Sequence, residues 1–206
     1  MSRKLHALKL LTALMLVTLL IGFPRRVEAH RPVFTDDAAT DSETAVPLTE
    51  PEISQVVYRE ITEESPQIWL SFEVPEHFEL YIQVGVPVID RLKEFRPVMV
   101  VVGPGLSGEE VPFEIPEGTG AMVFPTKEVA EPRLFNEPFT ATKSWILRSE
   151  TVSLEQPGRY YLVAYSPDEQ TGKLWLSIGK KESFKLEHWK QFFTWRKLIR
   201  EFHEVD

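Results

Sequence analysis

The sequence predicts an all-β protein: an antiparallel, jelly-roll-like β-sandwich followed by a C-terminal amphipathic α-helix. Three observations favour this class. Short β-rich runs separated by turn residues fill the chain from Ile53 to Gly179. Several of these runs alternate apolar and polar side chains, which places each apolar set on one face of a strand. From Glu182 to Glu204, a segment without Pro or Gly, the apolar spacing becomes helical.

The predicted strands differ in pattern along the sandwich, which is assigned to residues 53–179. In chain order they lie at 53–62, 68–74, 80–86, 97–102, 111–115, 121–124, 144–148, 151–154, 160–165 and 174–178. The run at 98–102 is apolar throughout, which is typical of a central strand buried on both faces. The last two strands flank 166–172, which predicts a hairpin loop. Residues 125–143 contain three prolines and predict a long ordered loop.

The first 29 residues have the composition of a secretory signal peptide. A basic start is followed by the 14-residue apolar run Leu10–Phe23, and small side chains precede a cleavage site after Ala29. The run is shorter than the ~20 residues that cross a bilayer comfortably. The alternative is an uncleaved membrane anchor, which Arg25 and Arg26 leave open. Cleavage predicts a secreted or extracytoplasmic protein, peripheral at the membrane if the C-terminal helix docks there.

Composition excludes several function classes. The net charge is −8, and residues 1–29 carry five basic side chains and one acidic side chain, so their removal changes it to −12. Such a protein is a poor ligand for nucleic acid, because phosphate binding needs clustered Lys and Arg. The chain has no cysteine, which excludes a disulfide-linked partner and thiolate chemistry. Because the common nucleophile, phosphate-loop and zinc-protease motifs are missing, the sequence favours a protein without catalytic residues.

Residues 30–52 are polar, acidic and interrupted by proline, which predicts an extended acidic arm before the sandwich. Cleavage after Ala29 makes His30 the first residue, whose α-amino group and imidazole together form a chelate that suits Cu(II). A second histidine would complete a three-nitrogen copper site. The candidates for it are His77, His188 and His203. No other cofactor is predicted from these residues.

The predicted helix, 182–204, concentrates aromatic and basic side chains in an acidic protein. One hypothesis is that it packs across the sandwich, as amphipathic helices of soluble proteins do. The other is that it docks on a membrane surface or an envelope protein, since interfacial helices combine Trp and Phe with Lys and Arg. The surface residues for that role are Trp189, Phe193, Lys190, Arg196, Lys197 and Arg200.

Five aromatic side chains alternate with the aliphatic sets of their strands, and we expect them on one sheet face. They are Trp69, Tyr81, Tyr161, Tyr165 and Trp175. If they are exposed, such a face suits a glycan. The alternative is that a loop or helix covers them, as is common for aromatic side chains beside a core.

The order of these features resembles the bacterial pre-peptidase C-terminal domain family of secreted β-sandwich modules. The resemblance covers roughly 41–179 and rests on the acidic segment 41–45, the strand 67–74 and the closing segments 157–163 and 171–178. It implies a β-sandwich and, because some members bind calcium through carboxylates of the head segment, a calcium site. The matching residues here are Asp36, Asp37, Asp41 and Glu43. The alternative is a solvated acidic arm.

Together these observations predict a non-catalytic, extracytoplasmic β-sandwich module that acts in binding or assembly at the cell envelope. Its partner would be an envelope protein or a membrane surface. Two alternatives remain open: a copper-binding protein that uses His30, and a glycan-binding sandwich.

Overall fold

The computed structural model describes residues 30–35, 39–183 and 191–206, so the predicted signal peptide lies outside the described residues. They form two packed β-sheets and one C-terminal α-helix, which confirms the predicted fold class. The strands are β1 (Arg31–Phe34), β2 (Val46–Pro47), β3 (Gln55–Ile61), β4 (Gln67–Val74), β5 (Phe78–Pro87), β6 (Val98–Gly103), β7 (Gly120–Phe124), β8 (Arg133–Glu137), β9 (Thr142–Leu154), β10 (Gly158–Tyr165) and β11 (Gly172–Ile178). The helix is α1 (Phe192–Phe202), and a 3-10 turn covers Asp90–Leu92.

The two sheets divide the strands unequally. The larger sheet has six strands in the order β1-β3-β11-β5-β9-β8, and the smaller has five in the order β2-β4-β10-β6-β7. Pairing is antiparallel except at β1–β3 and β2–β4, where an N-terminal strand pairs in parallel with its neighbour. In the six-stranded sheet the two edge strands are therefore β1 and β8.

The main core lies between the sheets and is built from the inward sets that alternation predicts. Leu80, Ile82 and Val84 of β5 face Leu70 and Leu162 of the other sheet, and all five are fully buried. Burying such side chains stabilises the fold by roughly 1.5–3 kcal/mol each. Of the described helices, none is long and apolar enough to cross a membrane.

The central strand β6 is buried on both faces, as its continuous apolar run predicts. Met99 and Val101 belong to the main core, whereas Val98, Val100 and Val102 belong to a second cluster on the outer face of the five-stranded sheet. That cluster lies beneath the loop 104–119, which joins β6 to β7.

The predicted hairpin at 166–172 is wrong. β10 pairs with β4 and β6, whereas β11 pairs with β3 and β5, so the loop crosses from one sheet to the other. Each strand is central in its own sheet and already has two neighbours. Composition indicates a turn at this loop but not which sheet the chain enters next.

Three other sequence-based boundaries differ from the structure. Residues 111–115 form no strand; they belong to the loop 104–119. The runs 144–148 and 151–154 are one strand, β9, which crosses a register shift opposite Val84 and Gly85. The segment 125–143, expected to be a loop, contains β8.

Both ends of the described chain join the sandwich. Residues 30–52, predicted as an extended arm, contribute β1 to one sheet and β2 to the other, and their Ala39 and Leu48 are buried in the main core. At the C-terminus, Glu182 and Ser183 have no regular structure, 184–190 lie outside the described residues, and the helix spans Phe192–Phe202.

Candidate functional site

The outer face of the six-stranded sheet carries a cleft of about 400 Å³. His30, beside the edge strand β1, lines it at one side, and Arg133 and Phe135 of the opposite edge strand β8 line it at the other. The face is therefore concave from edge to edge. A cleft of this size is within the range of small-molecule sites.

The floor of the cleft is a row of side chains set by the strand register. Arg133 pairs with Ile146, Ile146 with Gly85, Gly85 with Trp175, and Trp175 with Tyr58. Gly85 is needed here, because a β-carbon at this position would lie 2.3 Å from Cζ2 of Trp175. The missing side chain lets the indole of Trp175 lie across β5.

Helix α1 closes one end of the cleft through a chain of buried hydrogen bonds. The indole N–H of Trp175 donates to the hydroxyl of Ser144 (3.0 Å), and the Ser144 hydroxyl lies 3.0 Å from Nε2 of His203. Nδ1 of His203 lies 2.8 Å from the carbonyl oxygen of Ile199, an atom that only accepts. Nδ1 therefore carries the proton, and Nε2 accepts from Ser144. The network is satisfied when His203 is neutral.

Electrostatics agree with a neutral His203. Burial lowers the pKa of His203, the bond to the Ile199 carbonyl opposes this shift, and the positive charge of Lys173 lowers the pKa further. Beside it, burial raises the pKa of Tyr58, and the nearby carboxylate of Glu137 adds to the rise.

The end of α1 is also held from outside by charged side chains. Hydrogen bonds from Arg91 and Lys173 lower the pKa of Glu204 to about 2, so its carboxylate stays ionised over most of the pH range. Arg196 and Arg200 donate to the carbonyl oxygens of Phe139 and Thr140, at 3.1 and 2.9 Å. The helix is thus packed against the sandwich on this side.

The opposite end of the cleft is polar. Nδ1 of His30 lies 2.5 Å from the hydroxyl of Ser54. The ammonium group of Lys180 lies 4.4 Å from the centre of the Tyr81 ring and 3.3 Å from the hydroxyl of Thr151. Gln83, Ser177 and Glu182 complete this end.

The cleft contains two cations that make no ion pair with any residue the structure describes: Arg133 and Lys180. Its two acids are Glu137, whose carboxylate accepts the Phe139 N–H at 2.9 Å, and Glu182. The site can therefore bind a ligand by charge as well as by hydrogen bonds.

The candidate copper ligands are only partly brought together. His30 and His203 line the same cleft. His77 lies in the turn between β4 and β5, with Nδ1 2.7 Å from the Glu155 carboxylate, and His188 lies outside the described residues. No group of three or more metal-binding side chains occurs among the residues that the structure describes.

The candidate calcium ligands fall in two places. Asp36 and Asp37 lie outside the described residues. Oδ1 of Asp41 accepts hydrogen bonds from the main-chain N–H groups of Glu43 and Thr44 and from the Thr44 hydroxyl. These bonds lower the pKa of Asp41, and the bond from the Thr44 hydroxyl has the largest effect. The carboxylate thus stabilises its own turn.

The expectation that five aromatic side chains share one sheet face is wrong. Trp69, Tyr161 and Tyr165 lie on the five-stranded sheet, whereas Tyr81 and Trp175 lie on the six-stranded sheet. Periodicity shows which side chains share a face of one strand but not which strands share a sheet. Trp69 is fully buried, and its ring centroid lies 5.2 Å from that of Phe113, which belongs to the loop 104–119.

The predicted membrane or partner surface is divided by the packing of α1. Phe193 is 78% exposed, and Lys197 points to solvent and pairs with Glu201 at 3.5 Å. Arg196 and Arg200 instead hold the helix to the sandwich through the backbone bonds given above. Trp189 and Lys190 lie outside the described residues.

Three residues of the site, Arg133, Ser144 and Lys180, are not predicted from the sequence. Arg133 falls in a segment predicted to be a loop, and Ser144 and Lys180 are common residue types without a motif. The only sequence signal for the cleft is Gly85 inside a strand of alternating pattern, because such a glycine often marks a close approach of another group.

Comparisons with known proteins identify no family. No family model matches this chain, and no curated protein matches it. Solved structures do match. The pre-peptidase C-terminal domain of a collagenase from Bacillus anthracis is 12% identical, with a TM-score of 0.35, over 65% of this chain and 93% of that one. A periplasmic inhibitor of g-type lysozyme from Aeromonas hydrophila is 9% identical, with a TM-score of 0.34, over 73% of this chain and 98% of that one. Similarity at this level assigns no function to the chain.

Proposed function

We propose that this protein is a non-catalytic, extracytoplasmic binding module of the cell envelope, and that its ligand binds in the cleft on the outer face of the six-stranded sheet. The observation that carries the proposal is the concave shape of this face, with a cleft of about 400 Å³ reaching from one edge strand to the other. The opposite outer face is filled by the chain's own loop.

The side chains of the cleft support binding. Arg133 and Lys180 offer charged donors, and Gln83, Ser177 and Glu182 offer further donors and acceptors around an apolar floor. Clefts that combine an apolar floor with a few polar groups are the usual form of ligand sites. The signal-peptide composition of residues 1–29 supports a location outside the cytoplasm.

Docking at the envelope is assigned to the outer side of α1. Phe193 and Lys197 are adjacent on this side, one turn apart, and Phe193 has the largest exposed fraction among the exposed large hydrophobic side chains of the described chain. Exposed apolar side chains beside cations are typical of surfaces that meet a membrane or a partner protein.

The binding role is tested with two defined probes, tri-glutamate and chitotetraose, and isothermal titration calorimetry. We expect one of them to bind the mature protein and Arg133→Gln to weaken that binding about 5-fold or more, since a charged hydrogen bond contributes at least about 1 kcal/mol. Arg159→Gln is the matched control, because Arg159 lies on the other sheet and pairs with Glu73 at 2.9 Å.

Two results would contradict this role: binding of neither probe, or equal weakening by Arg133→Gln and Arg159→Gln. Binding of chitotetraose alone would favour the glycan alternative over a charged ligand. Tyr81→Ala then becomes the informative variant, because the Tyr81 ring lines the cleft and the flexible side chain of Lys180 lies over it.

Copper binding is the second candidate, and the specific observation in its favour is that the His30 ring lines the cleft next to the α-amino group that cleavage would create. His203 lines the opposite end of the cleft, and both of its ring nitrogens are engaged, so a three-nitrogen site would require His203 to move and to lose its bond with the Ser144 hydroxyl. Mass spectrometry of the secreted protein identifies its first residue, and a Cu(II) titration of that form at neutral pH measures binding. A first residue other than His30, or binding unchanged in His30→Ala, would eliminate this candidate.

A further inference from the structure

We propose that removal of residues 1–29 completes the cleft: it leaves the α-ammonium group of His30 at the rim, where this group joins Lys180 and Arg133 in binding a ligand that carries carboxylate or phosphate groups. This inference rests on the proposed function and names the chemistry of its ligand. It also makes the site dependent on maturation of the chain.

The position of the new N-terminus is fixed by the sheet. The main-chain N–H of Arg31 donates to the Ser54 carbonyl at 3.0 Å, and Arg31 is the first residue of β1 paired with β3. The ring of His30 contacts the Ser54 hydroxyl at 2.5 Å and lines the cleft. The first residue of the mature chain is therefore held at the rim by its own side chain and by the strand that follows.

Cleavage adds one positive charge to the cleft. Among the lining residues that the structure describes, two cations, Arg133 and Lys180, balance two acids, Glu137 and Glu182, before cleavage. After cleavage the α-ammonium of His30 gives a net charge of about +1, because an α-amino group has a pKa of about 8 and is mostly protonated at pH 7. A locally positive cleft in a protein of net charge −12 after removal of residues 1–29 selects for an anionic ligand.

The spacing of the cations suggests an extended ligand with more than one anionic group. Arg133 lies two strands away from Gly85, about 10 Å across the sheet, and Gly85 is four residues from Tyr81, about 13 Å along β5. Lys180 lies over Tyr81, so the two cations are about 16 Å apart in the plane of the sheet. A short chain of carboxylates, such as tri-glutamate, spans that distance.

The test compares three forms of the chain starting at residue 30: one with His30 first, one with a glycine before His30, and one with an acetylated His30. Tri-glutamate and, separately, inorganic phosphate are titrated into each by calorimetry. We expect tri-glutamate to bind the first form up to about 5-fold more tightly than the acetylated form, which is the contribution of one exposed ion pair. The glycine form keeps an α-ammonium group but moves it by one residue, so we expect its affinity to lie below that of the first form. Thermal unfolding controls for equal folding of the three forms.

The pH profile distinguishes the α-ammonium from other charges. The first form should bind tri-glutamate more tightly than the acetylated form at pH 7. This difference in affinity is expected to disappear as pH rises above about 8, because the α-amino group loses its proton there. Among the described residues, the ionisable groups that face this end of the cleft are the His30 ring, Lys180, Glu182 and Tyr81, with Glu50 beside the Arg31 side chain at 4.0 Å. All of them are present in the three forms, so they cancel in the comparison.

Each outcome decides the inference. Equal tri-glutamate binding in the three forms, with weakening by Arg133→Gln, would overturn the role of the N-terminus and leave the cleft as the site. No binding of tri-glutamate or phosphate to any form would overturn the anionic ligand, whereas the chitotetraose titration would still decide the proposed function. Binding of phosphate alone, equally in the three forms, would also overturn the inference.

Discussion

The two outer faces of this sandwich differ in how the chain covers them. On the five-stranded sheet, the loop 104–119 places Val111, Phe113 and Ile115 over Trp69 and closes a second apolar core. On the six-stranded sheet, helix α1 covers one end, and the rest of the face, as far as the structure describes it, carries a cleft with polar side chains around an apolar floor. One face is closed by a loop of the chain, and the other carries the cleft of the proposed ligand site.

The difference follows from side chains. The outward set of β6 and β10 is Val98, Val100, Val102, Tyr161 and Val163, which must be covered. The outward set of the six-stranded sheet includes the polar side chains of Gln83, Ser177 and Ser144, which need no apolar cover. Those of Gln83 and Ser144 form hydrogen bonds. The loop 104–119 carries four glutamates and no basic residue, and its apolar and acidic side chains alternate between core and solvent. The two faces therefore differ because the outward side chains of their strands differ in polarity.

The largest loss of stability is expected from a substitution on the closed face, beneath the loop 104–119. Trp69→Ala should lower the free energy of unfolding by about 3–5 kcal/mol, because it leaves a cavity under the loop. Tyr81→Ala, on the open face, should cost about 1 kcal/mol or less, since its ring is half-buried. Urea unfolding of both variants measures the difference, and similar losses would show that the two faces are equally packed.

A smaller effect is expected at the floor of the cleft. Gly85→Ala places a β-carbon 2.3 Å from Cζ2 of Trp175 and 2.9 Å from the Trp145 carbonyl oxygen, so the indole must move. We expect a loss of about 1–3 kcal/mol, which is typical of overpacking, and a changed near-ultraviolet circular dichroism signal. An unchanged signal with full stability would mean that the indole does not lie across β5.

The helix that closes the cleft is expected to weaken in acid. Because the pKa of His203 is lowered from 6.5 in the folded chain, the unfolded chain takes up a proton first as pH falls. The stability is complete above about pH 6.5 and declines below it. His203→Gln should cost about 1–2 kcal/mol at pH 7.5 through lost hydrogen bonds and should flatten the decline between pH 7.5 and 5. Equal pH profiles for the two proteins would contradict a buried neutral histidine.

The smallest effect is expected at the outer contact of α1. Glu204→Gln should lower stability by less than about 1 kcal/mol, because its bonds with Arg91 and Lys173 are exposed to solvent. The pKa of Glu204 is lowered to about 2 from 4.5, so this contribution is present above pH 4.5 and is lost as pH falls towards 2. Thermal unfolding of the two proteins at pH 7 and pH 3 measures the stability loss in Glu204→Gln at each pH. A larger loss at pH 3 than at pH 7 would show that another group is responsible.

The sequence predicts the sandwich well because strand alternation is a local property. The inward sets of β4 and β5 and the buried strand β6 follow directly from residues 68–74, 80–86 and 98–102. The assignment of strands to sheets does not, since the 166–172 loop looks like a hairpin loop and crosses between the sheets. β8 was missed because its residues 133–137 lie between two prolines, and its pairing with β9 depends on tertiary contacts.

The site is less predictable than the fold. His30 and His203 were predicted as copper ligands and Tyr81 and Trp175 as part of a glycan-binding face, but only the strand register and the packing of α1 place all four around one cleft. Arg133 reaches the cleft because β8 is an edge strand of a concave sheet. Curvature and edge position arise from the packing of many strands, so no local pattern signals them.

The central claim is that a ligand binds on the open face and not on the closed one. Amide chemical-shift changes, measured on the chain that begins at His30 during a tri-glutamate titration, test it most directly. We expect amide chemical-shift changes at Gln83, Arg133 and Ser177 and none at Val100 or Phe113. Shifts confined to the loop 104–119 and the strands beneath it would contradict it.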